Sequence, residues 1–217
     1  MALRRGLPLA VLVVALAGCG GGGSKQPAAV KRDAAGCVLV GQPKPERRTA
    51  PKPTAALDPA KAYDVVLRTN CGSFTVRLAV KTSPAATASF VSLVRRGFFD
   101  HTIFDRIVPG FVIQGGDPTA SQTGGPGYET VDRPPASTRY TLGVVAMAKT
   151  QTEPAGTAGS QFFVVTAKDA QLPPDYAVLG RVTKGLGVVK RVGQLGDPTS
   201  EQPTEVVEIE KATVHVG

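Results

Sequence analysis

The sequence predicts a mainly β fold, a closed β-barrel with helices packed outside it, for residues 61–217. Short apolar runs recur along this region, each bounded by Gly or Pro, as is typical of all-β domains. Only two stretches, near residues 84–96 and 184–192, show a helical pattern. A chain of 217 residues has room for one sizeable domain and additional segments.

The first eighteen residues are typical of a secretory signal. Arg4 and Arg5 form a positive region, and residues 6–17 are almost all apolar but too few to span a bilayer. The small residues before Cys19 resemble the lipobox of bacterial lipoproteins, in which the cysteine becomes the first residue and carries lipid. We therefore expect an exported protein, anchored through Cys19 to the outer face of a cell membrane or the periplasmic side of an envelope membrane. An ordinary secretory signal that contains a cysteine is the alternative.

Residues 19–60 are predicted to be a disordered linker. They are rich in Gly, Pro, Ala and Lys and have no sustained hydrophobic period. The full chain has a net charge of +8, and residues 25–53 contribute seven basic and two acidic side chains. Removal of the signal takes away two further positive charges, so the remainder of the chain, residues 54–217, retains about +1 and no nucleic-acid partner is expected. The linker charge suits a solvated spacer or, alternatively, contact with anionic lipid or wall polymers.

Cysteine usage predicts a disulfide. When Cys19 is lipidated, Cys37 and Cys71 remain, and an even remainder in an exported protein suggests that they pair. Such a bond would tie the end of the linker to the first hairpin of the domain, whereas two free thiols are the alternative. Three cysteines and two histidines leave little material for a metal site, so no metal is expected.

The domain begins with a predicted hairpin, formed by residues 62–69 and 73–80 around a turn at residues 70–72. A helix follows, with Ser83 as the N-cap, Pro84 in the first turn and Gly97 after the basic end. The remaining strands are predicted at short apolar runs, and a weaker helix near 184–192. These runs are residues 103–108, 111–114, 144–148, 162–166, 177–182 and 205–216.

Residues 104–117, with the sequence FDRIVPGFVIQGGD, closely resemble the signature of cyclophilin-type peptidyl-prolyl isomerases. Further matching blocks follow in the expected order, which are GGPGY at 124–128, VAMA at 145–148, GSQFF at 159–163, and residues 172–180. The resemblance covers about residues 63–216. It implies an eight-stranded antiparallel barrel capped by two helices. It also implies an enzyme that isomerises X-Pro bonds in proline-containing polypeptides without a cofactor.

The resemblance also implies the site. Rotation of the X-Pro bond breaks amide resonance, with a barrier of about 18–20 kcal/mol, so the catalyst has to stabilise the twisted amide. Arg106 would donate to the pyramidal nitrogen and the prolyl carbonyl, while Gln114 would bind substrate backbone and help to orient the arginine. Phe111 completes the catalytic set. The resemblance places Phe111 in the proline pocket as well, together with Val112, Phe163 and Leu172. Ala148 and Gln161 are expected to bind the residues before proline, and Tyr176 to form an aromatic wall.

Four positions depart from the family pattern. Gln171 stands where many eukaryotic members carry Trp, so strong cyclosporin binding is not expected, and Tyr176 replaces a pocket histidine. The turn at residues 148–150 and the longer loop to Gly159 border the groove, so residue preference before proline is expected to differ. Asp105 replaces the common histidine before Arg106.

We therefore expect a monomeric peptidyl-prolyl cis-trans isomerase that assists the folding of exported proteins at the outer face of a membrane. The alternative is a cyclophilin-fold binding module or chaperone with little turnover. The glycine-rich stretches match neither a P-loop nor GxGxxG, and His101 and His215 have no nucleophile partner at a recognisable motif. A solute-binding lipoprotein would need two lobes, which about 157 residues do not supply.

Overall fold

The computed structural model describes residues 30–217, in which one curled antiparallel sheet of nine strands carries two helices and a separate two-stranded sheet. The helices are α1 (Pro84–Arg95) and α2 (Leu186–Val192). The strands are β1 (Tyr63–Thr69), β2 (Gly72–Leu78), β3 (Thr102–Ile103), β4 (Arg106–Val108), β5 (Val112–Gly115), β6 (Thr130–Val131), β7 (Val144–Met147), β8 (Thr157–Ala158), β9 (Phe162–Val165), β10 (Val178–Lys184) and β11 (Glu208–Val216).

The main sheet runs in the order β3-β11-β1-β2-β10-β7-β9-β5-β4, and β6 pairs with β8. Its two edge strands, β3 and β4, are consecutive in the chain and are separated only by Phe104 and Asp105. The sheet therefore curls so far that its two edge strands come close together at this corner. The mainly β, antiparallel, two-helix fold is confirmed. The main sheet has nine strands rather than the expected eight, because the run predicted as one strand at 103–108 turns this corner and divides. The ladders between the described strands include no direct pairing of β3 with β4.

A cluster of aromatic rings fills the space between α1 and the sheet. Phe90 of α1 meets Phe162 of β9 edge-on, with ring centroids 5.4 Å apart. Phe99 and Phe104 approach the same ring, each with a centroid distance of 6.0 Å and a near-perpendicular orientation. Edge-to-face packing of this kind adds to the burial of each ring, so the strand that carries the site rests on a rigid base.

The start of α1 has a different cap from the one predicted. Ser83 holds the N-cap position, but its side chain makes no capping hydrogen bond. Instead, a carboxylate oxygen of Asp132 accepts a hydrogen bond of 2.6 Å from the backbone N–H of Ala86. A negative charge at this end also complements the helix dipole. Gly97 follows the helix with a φ of +67°, as its predicted position at the C-terminal end requires.

Residues 30–60 depart from the predicted disordered linker. Cys37, which is buried, forms a disulfide with Cys71 in the turn between β1 and β2. Further along, Arg48 Nη1 donates to the carbonyls of Phe98 and Asp100 at 2.7 and 2.8 Å. Composition alone does not register such long-range contacts, and they hold this segment against the domain. The predicted signal at residues 1–18, the lipidated Cys19 and the linker up to residue 29 lie outside the described residues.

None of the helices in the described part of the chain is both long and apolar enough to cross a membrane.

Candidate active site

An open groove with a volume of about 1180 Å³ crosses the sheet at β4, β5 and β9. The structure brings together in its lining all nine residues that the sequence assigned to catalysis or substrate binding. They are Arg106, Phe111, Val112, Gln114, Ala148, Gln161, Phe163, Leu172 and Tyr176. Residues 30–217 contain no group of three or more His, Cys, Asp or Glu side chains placed to hold a metal ion.

Strand register explains how three of these residues meet. Arg106 of β4 lies directly opposite Gln114 of β5, and Gln114 lies opposite Phe163 of β9. Residues that are paired across antiparallel strands project from the same face of a sheet. The ladder therefore sets the arginine, the glutamine and the phenylalanine in one row across the groove.

The Phe163 end of this row is an apolar pocket. Val112 and Phe163 are almost fully buried, and Phe111, Leu172 and Tyr176 pack around them at the surface. The rings of Phe163 and Tyr176 are nearly perpendicular, with centroids 5.4 Å apart. A concave site with apolar walls and few polar groups suits a small apolar ring such as that of proline.

Tyr140 supports this pocket, and the sequence did not single it out. Its hydroxyl donates to the backbone carbonyl of Tyr176 at 2.6 Å and accepts from the backbone N–H of Tyr176 at 3.0 Å. Burial raises the pKa of Tyr140 to about 12, so the hydroxyl keeps its proton at neutral pH. No local motif marks this residue, because its partner is 36 residues away in the chain.

Arg106 is held by a second residue that the sequence did not reveal. Its Nε donates to Oε2 of Glu201 at 2.6 Å, and the arginine side chain is 25% exposed. The backbone N–H of Ile107, next to Arg106, donates to the carbonyl of Glu201 at 2.9 Å. Within residues 30–217, the two Nη atoms of Arg106 have no hydrogen-bond partner, so they are available to a ligand in the groove.

Gln114 has a different partner from the one expected. It was assigned to help orient Arg106, but its Nε2 donates to Oε1 of Gln161 at 3.2 Å. Gln161 in turn donates through Nε2 to the carbonyl of Gly124 at 3.0 Å. Glu201 holds Nε of Arg106, and the two glutamines form a separate polar chain along the groove.

The loop that supplies Gly124 is organised around buried Asp117. The carboxylate of Asp117 accepts hydrogen bonds from the backbone N–H groups of Thr119, Ser121, Thr123 and Gly124. Burial acts to raise the pKa of Asp117, but the hydrogen bond from the Thr119 hydroxyl, together with those from the backbone N–H groups of Gly124, Thr119 and Ser121, outweighs it and lowers the pKa below the ordinary value. A Cβ at Gly124 would lie 2.1 Å from Asp117 Oδ1, so close approach explains the glycine.

Asp105 is a second buried carboxyl behind the groove. Burial raises its pKa to about 7, and nearby Asp117 adds to the rise. Neither carboxylate oxygen makes a hydrogen bond of ordinary geometry within the described residues. The nearby backbone amides of Asp105 itself and Gln122, and the charge of Arg106, offset the rise only in part.

Comparison with known proteins identifies the class. The family model described as "Cyclophilin type peptidyl-prolyl cis-trans isomerase/CLD" matches residues 64–214. The chain therefore belongs to the cyclophilin-type family of peptidyl-prolyl cis-trans isomerases, and it is an enzyme of that type. Residues 30–63 lie outside the matched region.

Individual relatives support this assignment. Peptidyl-prolyl cis-trans isomerase-like 1 of Gibberella zeae is 38% identical over 155 residues, which cover 70% of this chain and 94% of the relative. Peptidyl-prolyl cis-trans isomerase CYP18-2 of Arabidopsis thaliana is 36% identical over 155 residues, 70% of this chain and 93% of the relative.

Two crystal structures of a Cryptosporidium parvum cyclophilin type peptidyl-prolyl cis-trans isomerase share the fold. One is 28% identical with a TM-score of 0.66, and it covers 71% of this chain and 98% of its own. The other, determined in the presence of the dipeptide Ala-Pro, is 29% identical with a TM-score of 0.65, and it covers 70% of this chain and 98% of its own.

Proposed function

We propose that this enzyme isomerises X-Pro bonds of exported proteins at the outer face of a bacterial membrane, with the groove as its active site. The single observation that carries the catalytic assignment is the row formed by Arg106, Gln114 and Phe163 across three paired strands. The row sets a fixed cation beside an apolar pocket. The export and membrane parts of the proposal rest on the sequence of residues 1–19.

In the proposed mechanism, the substrate proline enters the pocket of Val112, Phe163 and Leu172, with Phe111 and Tyr176 at its rim. The pocket fixes the ring while the preceding carbonyl remains free to rotate. Holding one side of the bond in this way removes orientational freedom before the barrier is reached.

Arg106 stabilises the twisted amide. As the C–N bond rotates, the nitrogen loses conjugation and its lone pair becomes a better hydrogen-bond acceptor. The Nη groups of Arg106 donate to this lone pair or to the prolyl carbonyl, while Glu201 fixes Nε. Because this donation strengthens only in the twisted state, it lowers the barrier rather than simply tightening binding.

The polar chain of glutamines aligns the substrate backbone. Gln114 and Gln161 line the groove and hold one another, and Gln161 accepts through its backbone carbonyl from the N–H of Ala148. Gln161 and the backbone near Ala148 face the residues before proline, and Gln114 binds the backbone close to it.

Cis–trans exchange of an Ala-Pro peptide, measured by NMR with the purified full chain, tests the assignment. We expect Arg106→Ala to lower the exchange rate by about 10²–10³-fold, as does the loss of one preorganised transition-state donor in other enzymes. Arg139→Ala is the matched control, because Arg139 forms an exposed ion pair with Asp169 and does not line the groove. An Arg106→Ala variant with wild-type exchange would refute the assigned role.

The membrane part of the proposal has a separate test. Expression in a bacterial host with a labelled fatty acid is expected to label the wild-type chain and to place it in the membrane fraction. Cys19→Ser should abolish the label and release the protein. Retention of the label in Cys19→Ser would show that the anchor lies elsewhere or that the export assignment is incorrect.

A second candidate function is binding of proline-containing segments with little turnover. The observation behind it is the altered loop after Ala148, in which Lys149 Nζ lies 5.5 Å from the centre of the Tyr176 ring. The cation thus covers one wall of the pocket. Tight peptide binding without exchange broadening in the same NMR experiment would favour this function over catalysis.

A further inference from the structure

Residues 46–50, which we call the groove strap, form part of the wall of the active-site groove. Arg47, Arg48 and Thr49 line the groove together with Arg106 and Gln161. The strap precedes the region that the family model matches at residues 64–214. The strap is therefore a part of the groove wall that lies outside the matched family region.

Backbone hydrogen bonds attach both ends of the strap to one loop. The N–H of Glu46 donates to the carbonyl of Pro118 at 2.9 Å, and the N–H of Ala50 donates to the carbonyl of Pro126 at 3.0 Å. The loop between these two prolines contains Gly124, whose carbonyl holds Gln161. The strap therefore borders the side of the groove that we assign to residues before proline.

Arg48 anchors the strap to the end of α1. Its Nη1 bonds to two backbone carbonyls, those of Phe98 and Asp100, and its Nε pairs with Glu46 at 3.0 Å. The side chain of Arg48 is only 22% exposed. These contacts attach the strap to the segment after α1, and they leave the Arg48 guanidinium already paired.

Arg47 is the basic residue of the strap whose charge has no partner among the described residues. Among the other groove cations, Arg106 pairs with Glu201, and Lys149 Nζ donates to the carbonyls of Thr150 and Glu153. In the part of the chain that the structure describes, Arg47 is exposed and has no ion pair or side-chain hydrogen bond. A charge of this kind at the rim acts on whatever passes through the groove.

The two acidic residues that line the groove, Glu129 and Glu153, do not pair with Arg47, because they interact with each other. A hydrogen bond that the protonated carboxyl of Glu129 donates to Glu153 raises the pKa of Glu129, and Glu153 also accepts from the backbone N–H of Thr150. These carboxylates are therefore directed to one another and to the loop at residues 149–153 rather than to Arg47.

We propose that Arg47 is a specificity-determining residue, which favours substrates with an acidic side chain two or three residues before the proline. The inference rests on the proposed function, since it assigns a role to a wall of the same groove. A carboxylate there is attracted to Arg47, whereas a lysine is repelled. An exposed pair of this kind corresponds to a modest effect, about two- to fivefold in kcat/KM at low salt.

The test compares three Ala-Pro peptides that carry Glu, Gln or Lys two residues before the proline, with a parallel set in which the same residues stand three positions before the proline. We expect the full-length wild type to prefer Glu over Lys by about two- to fivefold in at least one set. Arg47→Glu should reverse this ratio, and raising the salt to about 1 M should abolish it in both proteins.

Two further variants make the outcome specific. Lys44→Glu introduces the same change in net charge three residues away, at a position that does not line the groove, and should leave the Glu-to-Lys ratio at its wild-type value. Arg48→Ala, which detaches the strap from α1, should weaken the preference without reversing it.

An unchanged ratio in Arg47→Glu, or an equal shift in Lys44→Glu, would overturn the proposal. Failure of the proposed function has a different signature, because the wild type would then not accelerate exchange of the Gln peptide.

Discussion

The Nε of Arg106 donates a hydrogen bond of 2.6 Å to Oε2 of Glu201, although the two residues are separated by 95 positions in the chain. The backbone carbonyl of Glu201 accepts from Ile107, so a single residue braces β4 through its side chain and its backbone. Glu201 adopts a φ of +58°, which costs about 1–2 kcal/mol for a residue with a side chain. Its contacts with β4 offset this strain.

Glu201 is expected to act as a positioning residue for Arg106. Glu201→Gln keeps the length and an acceptor oxygen but removes the charge, so we expect a fall of about tenfold in kcat, with little change in KM. Glu201→Asp should recover part of the loss. Glu208→Gln, which removes the carboxylate paired with His101, is the control and should leave kcat unchanged. If Glu201→Gln lowers only the stability of the protein and leaves kcat unchanged, the positioning role is contradicted.

Tyr140→Phe is expected to loosen the proline pocket. The substitution leaves the backbone carbonyl and N–H of Tyr176 without their partner, which costs about 1–3 kcal/mol of unfolding free energy. Tyr176 then loses its fixed position, so KM should rise for Ala-Pro peptides. Urea unfolding and NMR exchange measure the two effects. Tyr63→Phe, whose hydroxyl accepts from Asp58, serves for comparison and should not change KM.

Loss of the Cys37–Cys71 disulfide is expected to lower stability. The bond closes a loop between residues 34 positions apart, and its removal should cost about 3–4 kcal/mol. Thermal unfolding of the Cys37→Ser, Cys71→Ser double variant measures the change. Mass measurement under non-reducing and reducing conditions checks the bond itself, and two titratable thiols in oxidised protein would rule it out.

Asp105 is expected to make stability fall with rising pH. Its folded pKa of about 7 lies above the unfolded value of about 3.9, so the folded state binds the proton more tightly. Its contribution is therefore highest below about pH 4 and is lost progressively as the pH rises from about 4 to 7, by a few kcal/mol in total. Urea unfolding of wild type and Asp105→Asn across this range measures it. An identical pH profile in the two proteins would exclude Asp105 as the cause.

The sequence predicted the residues that local motifs carry. Arg106, Phe111 and Gln114 fall within the fourteen consecutive residues that resemble the family signature, and the structure places them on the hairpin of β4 and β5. Gln161 and Phe163 belong to a second short block, which the ladder then sets beside the first. The resemblance of these two blocks to the family signature was therefore enough to find these residues.

The residues that support the site were not predictable in the same way. Glu201 and Tyr140 act through contacts 95 and 36 residues away, and neither stands in a recognisable motif. The proline-rich composition of residues 30–60 predicted disorder, but a disulfide and the contacts of Arg48 override that preference. Such positions depend on tertiary packing, which a single sequence does not express.

The bond between Cys37 and Cys71 has a geometrical consequence for the proposed anchor. If Cys19 carries the lipid, the leash that connects the bilayer to the domain ends at Cys37 rather than near residue 60. About 18 residues reach at most about 60 Å when fully extended, compared with about 140 Å for a leash of about 41 residues. The enzyme would then stay within a thin layer above the lipid surface, and it would bind exported polypeptides while they are still close to the point of export.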